Sequence, residues 1–361
     1  NGFFYVLDRK TGELLSAEPY ATVTWAEKVD LKSGRAVLAA QGNYSARKKL
    51  IWPSQAGGHN WMPMSYSETA HLVYIPALDA PMIFGMVPGS AVHFRPGANN
   101  EGDDVAFPPY GAQEAAALQG QPAPEYRSVL EAWDPVAGKV VWRTPAMPFW
   151  GGGVLSTATG LVFEGAADGV FSAYDGASGH KLASIETGTG IMAAPISYEL
   201  DGVQYVAVLA GFGGAMNAIG FPPGSAALEY ENSERLLVFK LGGKSVKLPP
   251  PRHVEVQPPP PPIKADAATL ARGRDLFIGH CAGCHGFRGA AFAGAANGYP
   301  DLWNLPPGTH AAFQAIVHQG ALAQAGMPSF SDTMSADDVQ AVHAFIVSDE
   351  IETRARAART H

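Results

Sequence analysis

The five residues from Cys281 to His285 read Cys-Ala-Gly-Cys-His and constrain this chain more than any other feature. A C-x-x-C-H run is the attachment signature of a c-type haem, because each thiol can bond to a haem vinyl group and the histidine then reaches the iron. The 361 residues contain only 2 cysteines, so no disulfide framework competes for them. A zinc site would need four nitrogen or sulfur ligands, and there is no second cysteine pair. The motif predicts a haem held by Cys281 and Cys284, with His285 as one axial ligand.

The residues on both sides of this motif predict a small helical domain around the haem. Upstream, residues 267–278 carry apolar side chains at roughly helical spacing. Downstream, the run from Ser335 to Asp338 has the pattern of a capping box, and the residues after it form an apolar stripe that would pack on the first helix. The segment 264–361 as a whole resembles a class I cytochrome c domain.

The second axial ligand of the haem is predicted to be Met327. It stands in a short turn segment 42 residues after His285, which leaves enough chain for a small helical fold to enclose the haem. Methionine paired with histidine raises the reduction potential of a haem and suits electron transfer. Three other residues stay open as ligands, namely Met334, His318 and His343.

The composition excludes two classes of protein. Net charge is −8 and no basic cluster is present, so a nucleic-acid partner is not expected. The uncharged run 205–228 is interrupted by glycines and prolines too often for a membrane helix. We interpret it as a buried strand followed by a glycine-rich loop, and we expect no transmembrane segment in this chain.

A proline-rich linker is predicted between two domains. Residues 247–263 include three consecutive prolines and then five, which favour a stiff polyproline II spacer. Such a spacer would hold a haem domain at one distance from another redox centre, or would simply keep the boundary extended. The predicted domains are therefore 1–246 and 264–361, with the linker between them.

The first domain is predicted to be mainly β and repetitive. An aspartate after a strand, three residues and then a glycine recur at Asp8, Asp134 and Asp175, and the last two aspartates lie 41 residues apart. This spacing matches one four-stranded blade of a β-propeller, with the glycine in the hairpin turn. Trp142 follows the second turn and is predicted to pack between neighbouring blades. Residues 1–246 would supply about four blades.

Several motifs together carry a family resemblance. They are the run from Asn1 to Arg9, Gly58-His59-Asn60-Trp61, Trp150-Gly151-Gly152, Gly160 to Phe163 with Asp168-Gly169, and Gln204 to Ala207. The chain resembles pyrroloquinoline quinone (PQQ)-dependent alcohol dehydrogenases, and the C-terminal cytochrome makes it similar to their quinohaemoprotein (type II) subgroup. The resemblance implies part of an eight-bladed propeller with PQQ on its axis. We therefore expect this chain to be a C-terminal fragment, or half of a site that is completed elsewhere.

The resemblance also implies where the cofactors bind. It places Asn60 and Trp61 against PQQ, whereas from the residues alone Asn60 would cap a turn and Trp61 would be a core residue. Trp150 and Phe212 are further candidates for the PQQ pocket. The catalytic base and the calcium ligands of the family are expected upstream of Asn1, so no catalytic residue and no calcium ligand is assigned in this chain.

The function implied by the resemblance is an oxidoreductase. It would oxidise alcohols or aldehydes with PQQ and pass electrons through haem c to an external acceptor, which could be a copper protein, a cytochrome or a membrane quinone-reducing subunit. Covalent haem attachment implies the periplasm. The chain alone is expected to be inactive. The alternatives are an electron-transfer cytochrome on a non-catalytic propeller scaffold and a binding propeller with a haem sensor.

Overall fold

A computed structural model of the chain describes residues 1–86, 103–106, 115–120, 127–147, 150–211, 224–253, 255–285 and 300–360. These residues fall into two compact units, the first formed by those up to 252 and the second by those from 253 onward. Strands dominate the first unit and helices the second. The boundary lies inside the predicted linker, and the limits of the three predicted segments stay a prediction.

Eighteen strands run through the described part of the first unit. They are β1 (Phe3–Leu7), β2 (Leu14–Pro19), β3 (Ala26–Asp30), β4 (Arg35–Leu38), β5 (Lys49–Ile51), β6 (Ser65–Ser67), β7 (Leu72–Asp79), β8 (Met82–Met86), β9 (Asp103–Ala106), β10 (Arg127–Asp134), β11 (Lys139–Arg143), β12 (Gly151–Ser156), β13 (Leu161–Ala166), β14 (Val170–Asp175), β15 (Lys181–Glu186), β16 (Ile196–Leu200), β17 (Val203–Ala210) and β18 (Arg235–Lys240). Two short helices, α1 (Ala115–Leu118) and α2 (Ala226–Glu229), lie between strands.

Two of the sheets are complete four-stranded antiparallel blades. Their strand orders are β11-β10-β7-β6 and β12-β13-β14-β15, the meander that makes up one blade of a propeller. The other sheets of the described residues have two or three strands, in the orders β1-β2, β3-β4, β5-β8-β9 and β16-β17-β18. The prediction of a mainly β fold followed by a small helical region is confirmed.

The repeated aspartate and glycine form the turns between paired strands. Asp134 Oδ1 accepts hydrogen bonds of 2.9 Å from the backbone N–H groups two and three residues later. These bonds stabilise the carboxylate and hold the pKa of Asp134 below its usual range. Gly138 closes the turn at a φ of 63°, in the left-handed region that favours glycine. The same turn recurs at Asp8, Asp175 and also Asp30, a fourth copy that the three predicted repeats do not include.

Apolar side chains fill the space between the two complete blades. Leu130 of β10 is buried against Val162 of β13 and Tyr174 of β14. Trp142 of β11 adds a polar contact, because its Nε1 donates a 2.9 Å hydrogen bond to the backbone carbonyl of Gly176 in the next blade. The predicted packing of Trp142 between blades is confirmed.

The last sheet, β16-β17-β18, buries only one of its faces. Val206 of β17 is buried with Phe171 of β14. On the opposite face Ile196, Leu209 and Leu236 are 61%, 62% and 63% exposed, and the strand register pairs Leu209 with Leu236. A contiguous apolar face of this kind usually marks a surface that another element covers.

Five helices form the described part of the second unit. They are α3 (Ala267–His280), α4 (Ala282–His285), α5 (Pro307–Ala311), α6 (Phe313–Val317) and α7 (Ala336–Thr360). The predicted capping box is confirmed, since Asp338 N donates to Ser335 Oγ at 3.2 Å and Ser335 N donates to Asp338 Oδ2 at 3.1 Å. No helix within the described ranges has the length and apolar character needed to cross a membrane.

The proline-rich segment is hydrogen-bonded to the first unit at Lys247 and to the second unit at Glu255 and Gln257. In the first unit, Arg235 donates to the carbonyl of Lys247 at 2.7 Å. In the second unit, the side chain of Asn304 donates to the carbonyl of Glu255 at 2.8 Å and accepts from the N–H of Gln257 at 2.9 Å. The predicted spacer is therefore held by hydrogen bonds at its start and near its middle.

The close crossing of α3 and α7 gives a test of the second unit. A Cβ on Gly273 would overlap the backbone carbonyl of Ala341. We expect Gly273→Ala to lower the free energy of unfolding by about 1–3 kcal/mol, because overpacking forces the helices apart. Gly308→Ala in α5 is the matched control, since nothing lies near a Cβ there and alanine favours helix. Denaturation followed by helical circular dichroism compares them, and equal stability would contradict a tight crossing.

Candidate functional site

The C-x-x-C-H motif forms a tight helical turn in the second unit. Cys281 caps the end of α3 through a 2.8 Å hydrogen bond from its N–H to the carbonyl of Phe277. The N–H of His285 then donates to the carbonyl of Cys281 at 3.0 Å. This turn places both predicted attachment thiols and the predicted iron ligand within five residues, namely α4 and the residue that precedes it.

The two thiols of the motif have different environments. Cys281 is buried and Cys284 is exposed, and neither forms a disulfide. Burial raises the pKa of the Cys281 thiol to about 12, with a smaller contribution from Cys284. The Cys281 thiol is therefore neutral, and its apolar surroundings suit a thioether better than a charged metal thiolate.

A hydrogen bond fixes the tautomer of His285. Its Nδ1 lies 3.1 Å from the backbone carbonyl oxygen of Pro300. A carbonyl only accepts, so Nδ1 carries the hydrogen and donates it, and the lone pair is on Nε2. Burial lowers the pKa of His285, which keeps the ring neutral. Neutral imidazole oriented through its other nitrogen is the form in which histidine binds a metal.

The structure distinguishes Met327 from two of the other candidates for the second axial ligand. Met327 is half-buried at the edge of the core cluster of the second unit, whereas Met334 lies inside that cluster and is 2% exposed. His343 accepts or donates a 2.9 Å hydrogen bond with His310 and stacks on Phe313 with ring centroids 4.3 Å apart. Met334 and His343 are thus engaged in the core, which favours Met327. The assignment stays a prediction.

The amide side chain of Asn60 makes both of its hydrogen bonds within its own turn. Its Nδ2 donates to the carbonyl of Ala56 at 2.8 Å, and its Oδ1 accepts from the N–H of Trp61 at 2.9 Å. These bonds match the turn-capping interpretation, and the contact of Asn60 with PQQ stays a prediction.

Trp61 and Trp150 are brought together by the fold. Their rings stack at a centroid distance of 4.9 Å and an interplanar angle of 25°. Trp150 is 1% exposed, while Trp61 is 43% exposed. Trp61 is therefore not a core residue, and the buried ring of Trp150 covers one of its faces. Phe212, the remaining predicted pocket residue, lies outside the described residues.

A buried acid that the sequence analysis does not single out lies beside Trp150. A Cβ on Gly151, the residue after Trp150, would overlap Glu164 Oε1, so the absent side chain makes room for the carboxyl group. Within the described ranges no donor reaches that oxygen. Burial raises the pKa of Glu164 to about 8, with Asp168 adding to the shift and Lys181 opposing it. The sequence signal is an acid in an otherwise apolar strand.

Two family models match the chain. The β-propeller domain of PQQ glucose/ethanol/alcohol dehydrogenase matches residues 16–206, which is more than half of the chain. Cytochrome c oxidase, cbb3-type, subunit III matches residues 268–346. The two matches fall in the strand-rich and helical units respectively.

Known proteins match the chain across both units. Quinohemoprotein alcohol dehydrogenase ADH IIB of Pseudomonas putida is 40% identical over 98% of this chain and 49% of its own length. Lupanine 17-hydroxylase (cytochrome c) of Pseudomonas sp is 37% identical over 96% of this chain and 47% of its own length. The solved structure of alcohol dehydrogenase ADHIIG from Pseudomonas putida HK5 has a TM-score of 0.84 and 35% identity, with 98% of this chain and 51% of that chain covered. The chain thus spans about half the length of the relatives it matches.

The raised pKa of Glu164 predicts a pH-dependent stability. Between the ordinary pKa of 4.5 and about 8, the unfolded chain loses the proton of Glu164 while the folded chain keeps it. Stability from this group is therefore complete below pH ~4.5 and is lost as the pH rises through about 8. We expect Glu164→Gln to match the wild type near pH ~4.5 and to exceed it above pH ~8 by on the order of 4 kcal/mol.

Thermal unfolding at both pH values measures this difference. Glu199→Gln is the control, because Glu199 is an exposed glutamate of β16 in the same unit. A stabilisation of Glu164→Gln that is equal at both pH values would show that the carboxyl group does not titrate in the folded protein.

Proposed function

The chain belongs to the family of PQQ-dependent glucose, ethanol and alcohol dehydrogenases, and from this premise we propose that it provides the haem domain and about half of the propeller of a quinohaemoprotein alcohol dehydrogenase. The observation that carries the proposal is that one chain joins propeller blades to a haem-attachment turn whose histidine is already in the iron-binding tautomer. The whole protein would oxidise an alcohol or aldehyde and pass the electrons to an external acceptor.

Four residues hold the proposed haem c. Cys281 and Cys284 form the thioether bonds, His285 binds the iron through Nε2, and Met327 is the second axial ligand. When bound, the haem supplies a one-electron carrier with a potential raised by the methionine sulfur. The helical turn of α4 supports these assignments, because it starts directly after Cys281 and contains both Cys284 and His285.

The surface beside Trp61 is this chain's proposed share of the PQQ site. One face of the ring is covered by Trp150 and the residue is 43% exposed, which leaves a flat apolar surface for a planar quinone. Asn60 would contact the cofactor through its amide after releasing the carbonyl of Ala56, and Phe212 is assigned to the pocket by resemblance. PQQ supplies the two-electron oxidation of the substrate when bound.

No residue of this chain is proposed as the catalytic base or as a calcium ligand. Within the described residues, no three histidine, cysteine or acidic side chains cluster in a way that could hold a metal ion. By the family resemblance, we expect the base and the calcium ligands in another part of the propeller. Calcium belongs to the proposal for the whole protein only.

The exposed sheet face supports a larger propeller. Ile196, Leu209 and Leu236 present an apolar surface of the kind that a neighbouring blade covers between the complete blades. We propose that further blades cover it. The proposed domain limits are 1–246 for the propeller part, 247–263 for the linker and 264–361 for the cytochrome.

The periplasm is the proposed location. Covalent attachment of haem through a C-x-x-C-H motif supports it, because this attachment is completed outside the bacterial cytoplasm. The external acceptor is proposed to be a copper protein, a cytochrome or a membrane quinone-reducing subunit, which all accept single electrons there.

The assignment of Met327 is tested by comparing two methionines of the second unit. We expect Met327→Ala to abolish the weak near-infrared band of sulfur-to-iron charge transfer and to lower the reduction potential, because a thioether ligand raises it. Met334→Ala is the control; it should retain the band but lower stability by about 2–5 kcal/mol, since Met334 is a core residue. A band that survives in Met327→Ala and disappears in Met334→Ala would move the ligand to Met334.

The activity is tested with the chain alone and with a completed propeller. The 361-residue chain, given PQQ, calcium, a primary alcohol and an artificial electron acceptor, should show no turnover above a no-protein control. A fusion to the preceding half of the 40% identical Pseudomonas putida relative should restore PQQ-dependent turnover. Trp61→Ala in this fusion should reduce it about twofold to tenfold, since stacking on an aromatic ring contributes roughly 0.5–1.5 kcal/mol beyond buried area.

Two outcomes would contradict this account. Turnover by the chain alone would place the catalytic base among its own carboxylates. A fusion that binds PQQ, folds and carries haem but oxidises no alcohol would favour an electron-transfer cytochrome on a non-catalytic scaffold.

A further inference from the structure

The second unit contains a buried polar cluster that the haem motif does not use. It consists of His310 in α5 and His343 and Glu350 in α7, which we call the triad. His310 Nδ1 lies 2.9 Å from His343 Nε2. His310 Nε2 lies 4.0 Å from Glu350 Oε2, and the two side chains are 3% and 1% exposed. Titratable groups of this kind are rarely buried without a specific arrangement of partners.

The hydrogen-bond geometry orders the protons of the triad. Within the described part of the chain, His310 Nε2 and Glu350 Oε2 are both buried and have no closer partner than each other. A carboxylate accepts, so His310 Nε2 carries the hydrogen that faces Glu350. His310 Nδ1 then accepts from His343 Nε2. One hydrogen bond therefore joins the two histidines, whereas the 4.0 Å between His310 Nε2 and Glu350 Oε2 is an electrostatic contact and not a second hydrogen bond.

Two charged groups and one aromatic ring surround the triad. Arg354 of α7 donates to Glu350 Oε1 through Nε at 2.8 Å and also opposes a charge on His310. Asp301, in the segment before α5, raises the pKa of Glu350 by repulsion, after the larger effect of burial. From α6, the apolar ring of Phe313 covers His343. His343 is half-buried, so it connects the interior pair to solvent.

The segment 300–304 links the triad to the haem-attachment turn. At its start, the carbonyl of Pro300 holds His285 Nδ1. One residue later, Asp301 acts electrostatically on Glu350. Trp303 donates through Nε1 to Asp349 Oδ2 at 2.7 Å, directly beside Glu350 in α7. Within this segment, Pro300 therefore contacts the proposed iron ligand, and Trp303 contacts the helix that carries the acid of the triad.

We propose that the triad is a proton-binding site that takes up one proton from solvent when the haem unit accepts one electron. The inference rests on the proposed function, because it needs haem c at Cys281 and Cys284. The electron comes from a reduced quinone donor and enters the iron; the proton enters through His343 and binds to the His310–Glu350 pair. No covalent bond other than that to the proton forms or breaks, and the charge of the unit is unchanged.

The pH range of the uptake follows from the groups involved. Burial lowers the pKa of His310 below 6.5 and lowers that of His343 to about 4, while it raises the pKa of Glu350 above 4.5. The two histidines of the oxidised unit should therefore gain a proton only below pH ~6.5. An added electron favours the protonated form. Because the added electron raises the pKa of the triad, the haem potential should rise as the pH falls from that raised pKa to the pKa of the oxidised unit, and it should be constant outside this interval.

Spectroelectrochemical titration of the full haem-loaded chain from pH ~4 to ~8 tests the inference. We expect Glu350→Gln to remove at least half of the rise in potential on acidification, since glutamine still accepts from Arg354 but binds no proton. Glu352→Gln is the matched control, because it removes the same charge from an exposed position of the same helix. Glu352→Gln should keep the wild-type slope.

The inference is overturned by a wild-type potential that does not vary with pH, or by equal slopes in the wild type and Glu350→Gln, which would locate the proton on other groups such as the haem propionates. If Glu350→Gln does not fold, NMR titration of His310 and His343 in the wild type replaces it, and identical midpoints in the oxidised and reduced states overturn the inference. A pyridine haemochrome spectrum without covalent haem would instead remove the proposed function, and this inference with it.

Discussion

The first unit depends on apolar sheet faces that are buried only between neighbours. Leu130 and Val162 are shielded because two blades lie face to face, and no single blade offers them an interior. The stability of each blade is therefore conditional on the next one, as in other repeat structures. This constraint explains why the same unit contains both a well-packed core and an apolar sheet surface at β16-β17-β18.

The second unit follows a different rule, because its helices pack on one another around a single apolar core cluster. Its core cluster is completed by Phe277, Val342 and Ile346 from the crossing of α3 and α7. The crossing fixes α3, and α3 in turn fixes the position of Cys281 at its end. The position of the attachment turn thus follows from one close helix contact, whereas the hydrogen bond to the carbonyl of Pro300 orients His285.

Local patterns allowed much of the fold and part of the site to be predicted. The attachment motif, the capping box at Ser335 and the Asp-x-x-x-Gly turns each involve residues within five positions of one another, so a short stretch of sequence determines their geometry. Glu164, the Trp61–Trp150 stack and the triad join residues that are far apart in sequence. Nothing in the local pattern around His310 indicates that α7 will bring Glu350 to it, because that contact is set by helix packing.

The four Asp-x-x-x-Gly turns look alike in sequence but differ in what surrounds them. The turns that contain Gly12 and Gly34 have nothing within reach of an added side chain. The turn at Gly179 is clasped by the ring of Trp142, and the adjoining carbonyl of Gly176 accepts hydrogen bonds from both Trp142 and Tyr74. For protein engineering, the hairpins at Gly12 and Gly34 are the natural places to graft an epitope or a fluorophore, whereas a graft in the turn at Gly179 would pull two blades apart.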